Sequence, residues 1–318
     1  MARLRPSDLL TSDPPEHTRL RRLVAGQFTV RRMNQLAPRI QDIVDQHLDA
    51  FAAGPRPADL VKTVALPVPS LVISELLGVP FTDRGRYQRL TAELLSLDRT
   101  REQLLTSKAE MKTYLLGLIH AKRTERTDDL LSGLLQAQAT DPTLTDDEIA
   151  ALAQLILIAG HETIANVTGL AVLLLLRPPR LWDTVRARPE LIDGVIEETL
   201  RYATVLQFGL LRFAREPLTI AGRPIRADDR VVLHLPAANR DPDHFDPHRP
   251  DAAKHLSFGH GPHHCLGDQL ARIELRTLLT TMLHRFPDLH LTADPEHIPT
   301  HQHRVVHGPA HLPVDFTP

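Results

Sequence analysis

Residues 145–176 read as one long apolar stretch, and this stretch limits the folds open to the chain more than any other feature. It opens with Thr145 and Glu148 at the spacing of a capping box, in which the threonine accepts from a backbone N–H three residues on and the glutamate reaches back. As a helix it runs to Leu176 and spans roughly 48 Å at the usual rise, enough to cross a whole domain. A membrane span is the rival reading. His161, Glu162 and Asn166 fall in its middle, where a charge costs about 2.5 kcal/mol or more in a bilayer, so a buried axis of a globular fold fits better. The group Ala159-Gly160-His161-Glu162-Thr163 then lies at the centre of a buried helix, where polar side chains require either a solvated bend or a chemical task.

The rest of the chain divides by texture. Apolar-periodic segments broken by Leu66-Pro67-Val68-Pro69 and Arg177-Pro178-Pro179 make residues 15–205 helix-rich. Residues 205–267 change to short β-branched pieces and turns, such as Leu218-Thr219-Ile220-Ala221-Gly222, Arg230-Val231-Val232-Leu233-His234 and the turn Asp241-Pro242-Asp243. A helix follows over 266–285, stopped before Pro287, and the tail 286–318 carries β-like pieces around Leu289-His290-Leu291 and Val305-Val306. No repeat or linker intervenes, so residues 1–318 are expected to form one domain, mostly α with a minor β component. A net charge of -2 provides no global field for nucleic acid or an anionic membrane. The start Met1-Ala2-Arg3-Leu4-Arg5-Pro6 lacks a signal-peptide pattern, which leads to the expectation of a soluble, cytoplasmic protein.

The single cysteine excludes an intramolecular disulfide and, by itself, is most simply a small buried side chain. Its surroundings suggest more. Phe258-Gly259-His260-Gly261-Pro262-His263-His264-Cys265-Leu266-Gly267 runs directly into the helical Asp268-Gln269-Leu270-Ala271-Arg272-Ile273-Glu274. Gly259 and Gly261 permit tight turns and close approach to a flat ligand, and a cysteine at a helix start is favoured as thiolate. Gly267 brings backbone N–H groups near the sulfur, where hydrogen bonds tune a bound metal. Zinc is the alternative, since His255, His260, His263 and His264 crowd the cysteine, although a glycine-rich loop with one cysteine suits it poorly.

This loop resembles the cysteine-ligand loop of the cytochrome P-450 family, in its soluble bacterial branch. The resemblance implies that Cys265 binds the iron of haem b, that Phe258 covers the sulfur, that Gly259, Gly261 and Gly267 lie against the cofactor, and that His263 donates to a haem propionate. Pro262 takes a position the family leaves variable. Glu198-Thr199-Leu200-Arg201 and Phe245-Asp246-Pro247-His248-Arg249-Pro250 resemble the segments that supply a structural network, here Glu198, Arg201 and Arg249. Asp13 to Arg22 resembles the start of a propionate-binding helix, with His17 and Arg21 on one face, and Arg212 matches a further propionate arginine. Ala159 and Gly160 then face the cofactor at a locally opened kink, where Thr163 and Glu162 serve the proton path; Ile164 departs from the hydroxyl residue often found there. The segments Pro67 to Pro80 and Ala237-Ala238-Asn239-Arg240-Asp241-Pro242 match as well.

The fold implied is that of the family without its usual amino-terminal helices and strands. The activity implied is a monooxygenase: two electrons reduce O₂, one oxygen atom enters a small, hydrophobic organic substrate and the other leaves as water. No dinucleotide fingerprint appears, so electrons come from a separate ferredoxin-like donor with its reductase, docking near Cys265 where Arg22 and Arg272 supply positive charge. Nucleic acid and membrane are not expected as partners. Three alternatives stand beside this reading: a peroxide-using member of the same fold, a haem-binding but catalytically weak or silent truncated member, and the zinc protein.

Overall fold

A computed structural model describes residues 8–240 and 244–317, so the expected turn at Asp241-Pro242-Asp243 and the start Met1 to Pro6 lie outside the described residues. The helices are α1 (Glu16–Ala25), α2 (Val30–Ala52), α3 (Pro67–Leu77), α4 (Arg84–Leu94), α5 (Arg101–Lys122), α6 (Leu130–Thr140), α7 (Asp146–Leu176), α8 (Leu181–Ala187), α9 (Ile192–Tyr202), α10 (Leu235–Asn239) and α11 (Asp268–Arg285). The strands are β1 (Ala58–Asp59), β2 (Leu210–Phe213), β3 (Leu218–Ile220), β4 (Arg223–Ile225), β5 (Arg230–Leu233), β6 (His290–Leu291) and β7 (Pro313–Asp315). They form three small antiparallel sheets, β1-β7-β6, β2-β5 and β3-β4.

α7 is the axis that its sequence announces. The Thr145 side chain accepts from the Glu148 backbone N–H at 3.2 Å, and the Glu148 carboxylate accepts from the Thr145 N–H at 3.0 Å. The helix is long and apolar enough to cross a membrane by length and composition, yet 67% of its most apolar window is buried inside the fold. It packs most extensively against α3 and also against α5, with Leu152, Ala153, Leu157, Ala171, Val172 and Leu175 inside the core. Unlike a surface helix with one apolar stripe, it is apolar nearly all round, because protein covers it on several sides.

A second locking point ties α2 to the end of α11 and the carboxyl-terminal strand. Phe51 from α2, Phe286 just past α11 and Phe316 just past β7 stack with ring centroids 4.6 to 5.2 Å apart. Trp182 of α8 donates its indole N–H to the Phe286 carbonyl at 3.0 Å, so the cluster has no unsatisfied indole.

Some expectations shift. The last helix begins at Asp268 and not at 266, because Leu266 and Gly267 remain part of the loop. Val305-Val306 forms no strand; Val306 makes an isolated bridge to Leu206, and Arg304 one to Ser96. β1, β2, β4 and β7 are additions to the expected strands.

The Thr145 cap is expected to carry a measurable share of the axis. Thr145→Ala removes an N-cap acceptor and should lower unfolding free energy by about 1 kcal/mol, read from denaturant titration. An unchanged midpoint would show that Glu148, which also pairs with Arg19, supports the helix start unaided.

Candidate functional site

The cysteine loop is shaped by its backbone. Gly259 (φ +72°) and Gly261 (φ +78°) take left-handed conformations that other residues adopt only with strain. The Cys265 N–H donates to the Phe258 carbonyl at 2.8 Å, which closes the loop and points the thiol inward. Gly267 has an ordinary φ of -92°, and a Cβ added there would meet no protein atom. Neither strain nor crowding from the protein therefore demands glycine at 267, and the space beside it is left for a group from outside.

That space is a cavity of about 300 Å³ with mostly apolar walls. Cys265 opens onto it from one wall and Thr163 with Ala159 and Gly160 of α7 from another, with Ile73, Ile164, Leu206 and Leu235 adding apolar surface. The thiol is accessible through the cavity although protein surrounds it at longer range. That burial pushes its pKa up, while the Gly267 backbone N–H and, more weakly, Arg21 and Arg272 pull the other way. A cation at the sulfur would reverse the balance in favour of thiolate.

At the rim lie His17, Arg21 and His263. The rings of His17 and His263 are 4.2 Å apart, and Arg21 donates to the His264 carbonyl at 2.7 Å. His17 is 2% exposed and its Nε2 has no hydrogen-bond partner among the described residues. Burial, then His263, then Arg21 lower the His17 pKa; burial and Arg212 do the same for His263. A buried orphaned nitrogen within a group of cations and bases fits a carboxylate-bearing ligand, so these residues suit haem and its propionates. Arg212 stands on β2, near enough to act on His263, but its guanidinium donates to the Leu211 carbonyl at 3.0 Å and is not among the cavity walls.

The centre of α7 differs from the expected kink. The helix is continuous through Ala159 to Thr163, and the Thr163 hydroxyl donates to the Ala159 carbonyl at 2.7 Å. Gly160 serves packing as well as the cavity: a Cβ there would sit 2.5 Å from the Ile73 Cδ1 of α3. Glu162 is buried but is not a cavity wall; its carboxylate faces Arg304 at 3.7 Å and His161 at 3.9 Å. His161 holds the Leu157 carbonyl at 2.7 Å, packs on Tyr87, and is kept neutral by burial.

Behind the loop, Glu198 binds Arg201 at 2.7 and 2.8 Å, accepts from the Asp246 N–H at 2.8 Å, and lies 3.3 Å from Arg249. Arg201 donates to the carbonyls of Asn239 and His244. Asn239 then donates to Thr204 and Ser257 and accepts from the Leu256 N–H at 2.7 Å. The linking roles of Asn239, Thr204 and Ser257 escape sequence reasoning, although Asn239 lies within the matched segment Ala237 to Pro242.

Phe258 packs between His255, at 5.4 Å, and the Arg272 guanidinium, at 4.7 Å. Arg272 is not a free surface cation as expected: Glu197 binds it at 2.6 and 3.0 Å and Asp268 at 3.0 Å. Arg22 is exposed. The histidines near Cys265 do not converge on it, and among the described residues no three His, Cys, Asp or Glu side chains could hold a metal ion, which removes the basis for zinc.

Comparison with protein-family models matches residues 118–312 to Cytochrome P450. Cytochrome P450 105C1 of a Streptomyces species is 47% identical over 94% of this chain and 79% of its own length. Cytochrome P450 monooxygenase PikC of Streptomyces venezuelae is 42% identical over 96% of this chain and 75% of its own. The crystal structure of CYP105P1 in complex with filipin I superimposes with a TM-score of 0.93 at 39% identity, covering 98% of this chain and 80% of that one.

Acid should expose the buried histidines. Burial lowers the pKa of His17, His161, His263 and His307, and His301 falls from 6.5 to about 4 as Arg304, His307 and His311 add to burial. The unfolded chain then binds more protons than the folded one, so stability rises with pH across this window. The denaturation midpoint of the ligand-free chain is expected to fall as pH drops from about 6.5 toward about 4, and His301→Gln should reduce that fall. An equal fall in the variant would remove His301 from the account.

Proposed function

Because the chain belongs to the cytochrome P450 family, we propose that Cys265 is the sulfur ligand of its haem iron and that the cavity it opens onto is where substrate is oxidised. The chain is an oxidoreductase: a monooxygenase of P450 fold that uses haem b and O₂ and acts on a small organic molecule with electrons from a ferredoxin and its reductase. The observation that carries the assignment of the site is the lone cysteine opening into an apolar-walled cavity that Thr163 also lines. The relatives are named monooxygenases or cytochromes P450, which leaves the catalytically silent alternative without support. One solved relative is complexed with filipin I, and the apolar walls here support a hydrophobic organic substrate. The whole chain acts as one haem-binding unit in this reading, placed in the cytoplasm of a bacterium.

Haem, when bound, supplies the activation of O₂ and the insertion of one of its atoms. The chain supplies everything around it. His17, Arg21 and His263 would hold the propionates, and Arg212, close enough to act on His263, would add a further cation. Gly259, Gly261 and Gly267 leave the loop flat, Phe258 shields the sulfur, and Ala159 with Gly160 offers a low wall on α7. Thr163 holds a hydroxyl at the cavity surface and positions protons there. Glu162 would serve the proton path from outside the cavity wall, where its carboxylate faces Arg304 at 3.7 Å.

Cys265→His is expected to abolish the red-shifted carbon-monoxide band of a thiolate-bound ferrous haem. Survival of that band would overturn the ligand assignment, since the sequence has no second cysteine. Thr163→Ala should retain haem but send a larger share of reducing equivalents to peroxide, because the hydroxyl guides protons and does not hold the cofactor. Unchanged partition between water and peroxide would count against that role.

A further inference from the structure

Arg272 is a cation that the sequence offers to a redox partner, and its commitments inside the fold give it a different task. Glu197 of α9 holds its Nε and Nη2 at 2.6 and 3.0 Å, and Asp268, one turn back on α11, holds its Nη1 at 3.0 Å. A guanidinium held on all three nitrogens is fixed in plane as well as in place. That plane serves Phe258: the Arg272 Cζ lies over the Phe258 ring, 4.7 Å from its centroid.

A second group meets the same ring. The His255 ring is 5.4 Å from that of Phe258, and its Nδ1 accepts from the Ser257 N–H at 3.1 Å, which leaves the ring proton on Nε2. That Nε2 is 3.3 Å from the Glu197 carboxylate, so Glu197 faces both groups that touch Phe258. Burial raises the Glu197 pKa, but His255 and Arg272 outweigh it and hold the carboxyl at about 2, so this anchor is ionised at neutral pH. Phe258 is a wall of the cavity beside Cys265 and accepts the Cys265 N–H, whereas neither Arg272 nor Glu197 is a cavity wall. An ion pair that only joined α9 to α11 would need no ring stacked on it, and a cation for a docking protein would not be matched by two carboxylates of its own chain.

We propose that the Glu197–Arg272 pair is a clamp on the Phe258 ring, and that through the ring it keeps water from the Cys265 sulfur and so sets how much electron density the thiolate gives to iron. The inference rests on the reading of Cys265 as the haem ligand. Arg272 acts through Phe258 and is a positioning residue, and Glu197 positions Arg272 in turn. A lysine at 272 keeps the charge but has neither the planar face nor the fork, which separates clamping of the ring from a plain effect of charge.

Two experiments test this, the first without haem. In the ligand-free chain, the unfolding equilibrium constants of Arg272→Met, Phe258→Leu and the double variant should show a coupling of about threefold. Strict additivity overturns the clamp. In the haem-loaded chain, resonance Raman should place the iron–sulfur stretch of Arg272→Lys below that of the unaltered chain, because water that reaches the sulfur donates to it and weakens its bond to iron. The red-shifted carbon-monoxide band of Arg272→Lys should also decay to its unshifted form about tenfold faster. Phe258→Leu should lower the stretch by itself, with Arg272→Lys adding nothing further. An unchanged stretch in Arg272→Lys overturns the proposal, since only the clamp is lost there. A shift that persists undiminished in the Phe258→Leu background overturns it too, since Arg272 would then act without the ring. Absence of a thiolate band in the unaltered haem-loaded chain removes the ligand assignment and the tuning role with it, and the ligand-free cycle distinguishes that failure from a missing clamp.

Discussion

The buried Glu198 carboxylate is the interaction on which the site depends. It is fully buried and bound by Arg201, by the Asp246 N–H and at longer range by Arg249. Removing one partner from such a pair strands a charge and typically costs about 3 to 5 kcal/mol. The pair also transmits position. With its guanidinium fixed by Glu198, Arg201 holds the Asn239 and His244 carbonyls, and Asn239 holds Ser257 and the Leu256 N–H. Ser257 in turn donates to the Leu200 carbonyl at 2.6 Å. Phe258, the next residue, accepts from the Cys265 N–H, so hydrogen bonds and the Ser257–Phe258 backbone link the α9 acid to the cysteine loop.

The electrostatics of the cavity are divided in the same spirit. Its rim gathers His17, His263 and Arg21, where burial and mutual repulsion lower the pKa of both imidazoles. A carboxylate bound there would stabilise their charged forms, so ligand binding and proton uptake are linked at this rim. Deeper in, the walls are apolar, and charged groups near the sulfur are already compensated: Arg272 by Glu197 and Asp268, at distances of 2.6 to 3.0 Å. Glu197 is correspondingly held down at about 2, against burial that raises it, by His255 and Arg272.

What the sequence made legible was local. The Thr145–Glu148 box, the left-handed glycines of the loop and the Glu198–Arg201 spacing each depend on residues a few positions apart, and each is found in the structure. The resemblance to a known loop supplied the order in which such pieces belong. Short strands escaped because β1 has only two residues and β4 and β7 three each, too few for an alternating pattern. Long-range polar contacts escaped for another reason: Asn239 and Thr204 meet across 35 positions, and Glu162 and Arg304 pair between a helix and an irregular tail. Arg272 reads as a free surface cation, since nothing in a sequence tells a paired guanidinium from an unpaired one.

The orientation of α7 follows from helical geometry more than from residue type. Consecutive residues on a helix point about 100° apart, so Glu162 and Thr163 cannot both face the same cavity squarely. The structure assigns the cavity to Thr163 and a neighbouring face, toward Arg304, to Glu162. Thr163 has one hydroxyl proton, and it is committed to the Ala159 carbonyl at 2.7 Å. In this state the hydroxyl presents only lone pairs to the cavity and can accept a proton there but not donate one. To donate, it must either receive a proton first or rotate away from Ala159, leaving that carbonyl to the helix or to water. The continuous helix is therefore the accepting state of Thr163, and a local opening at Ala159 is the change that would turn it into a donor.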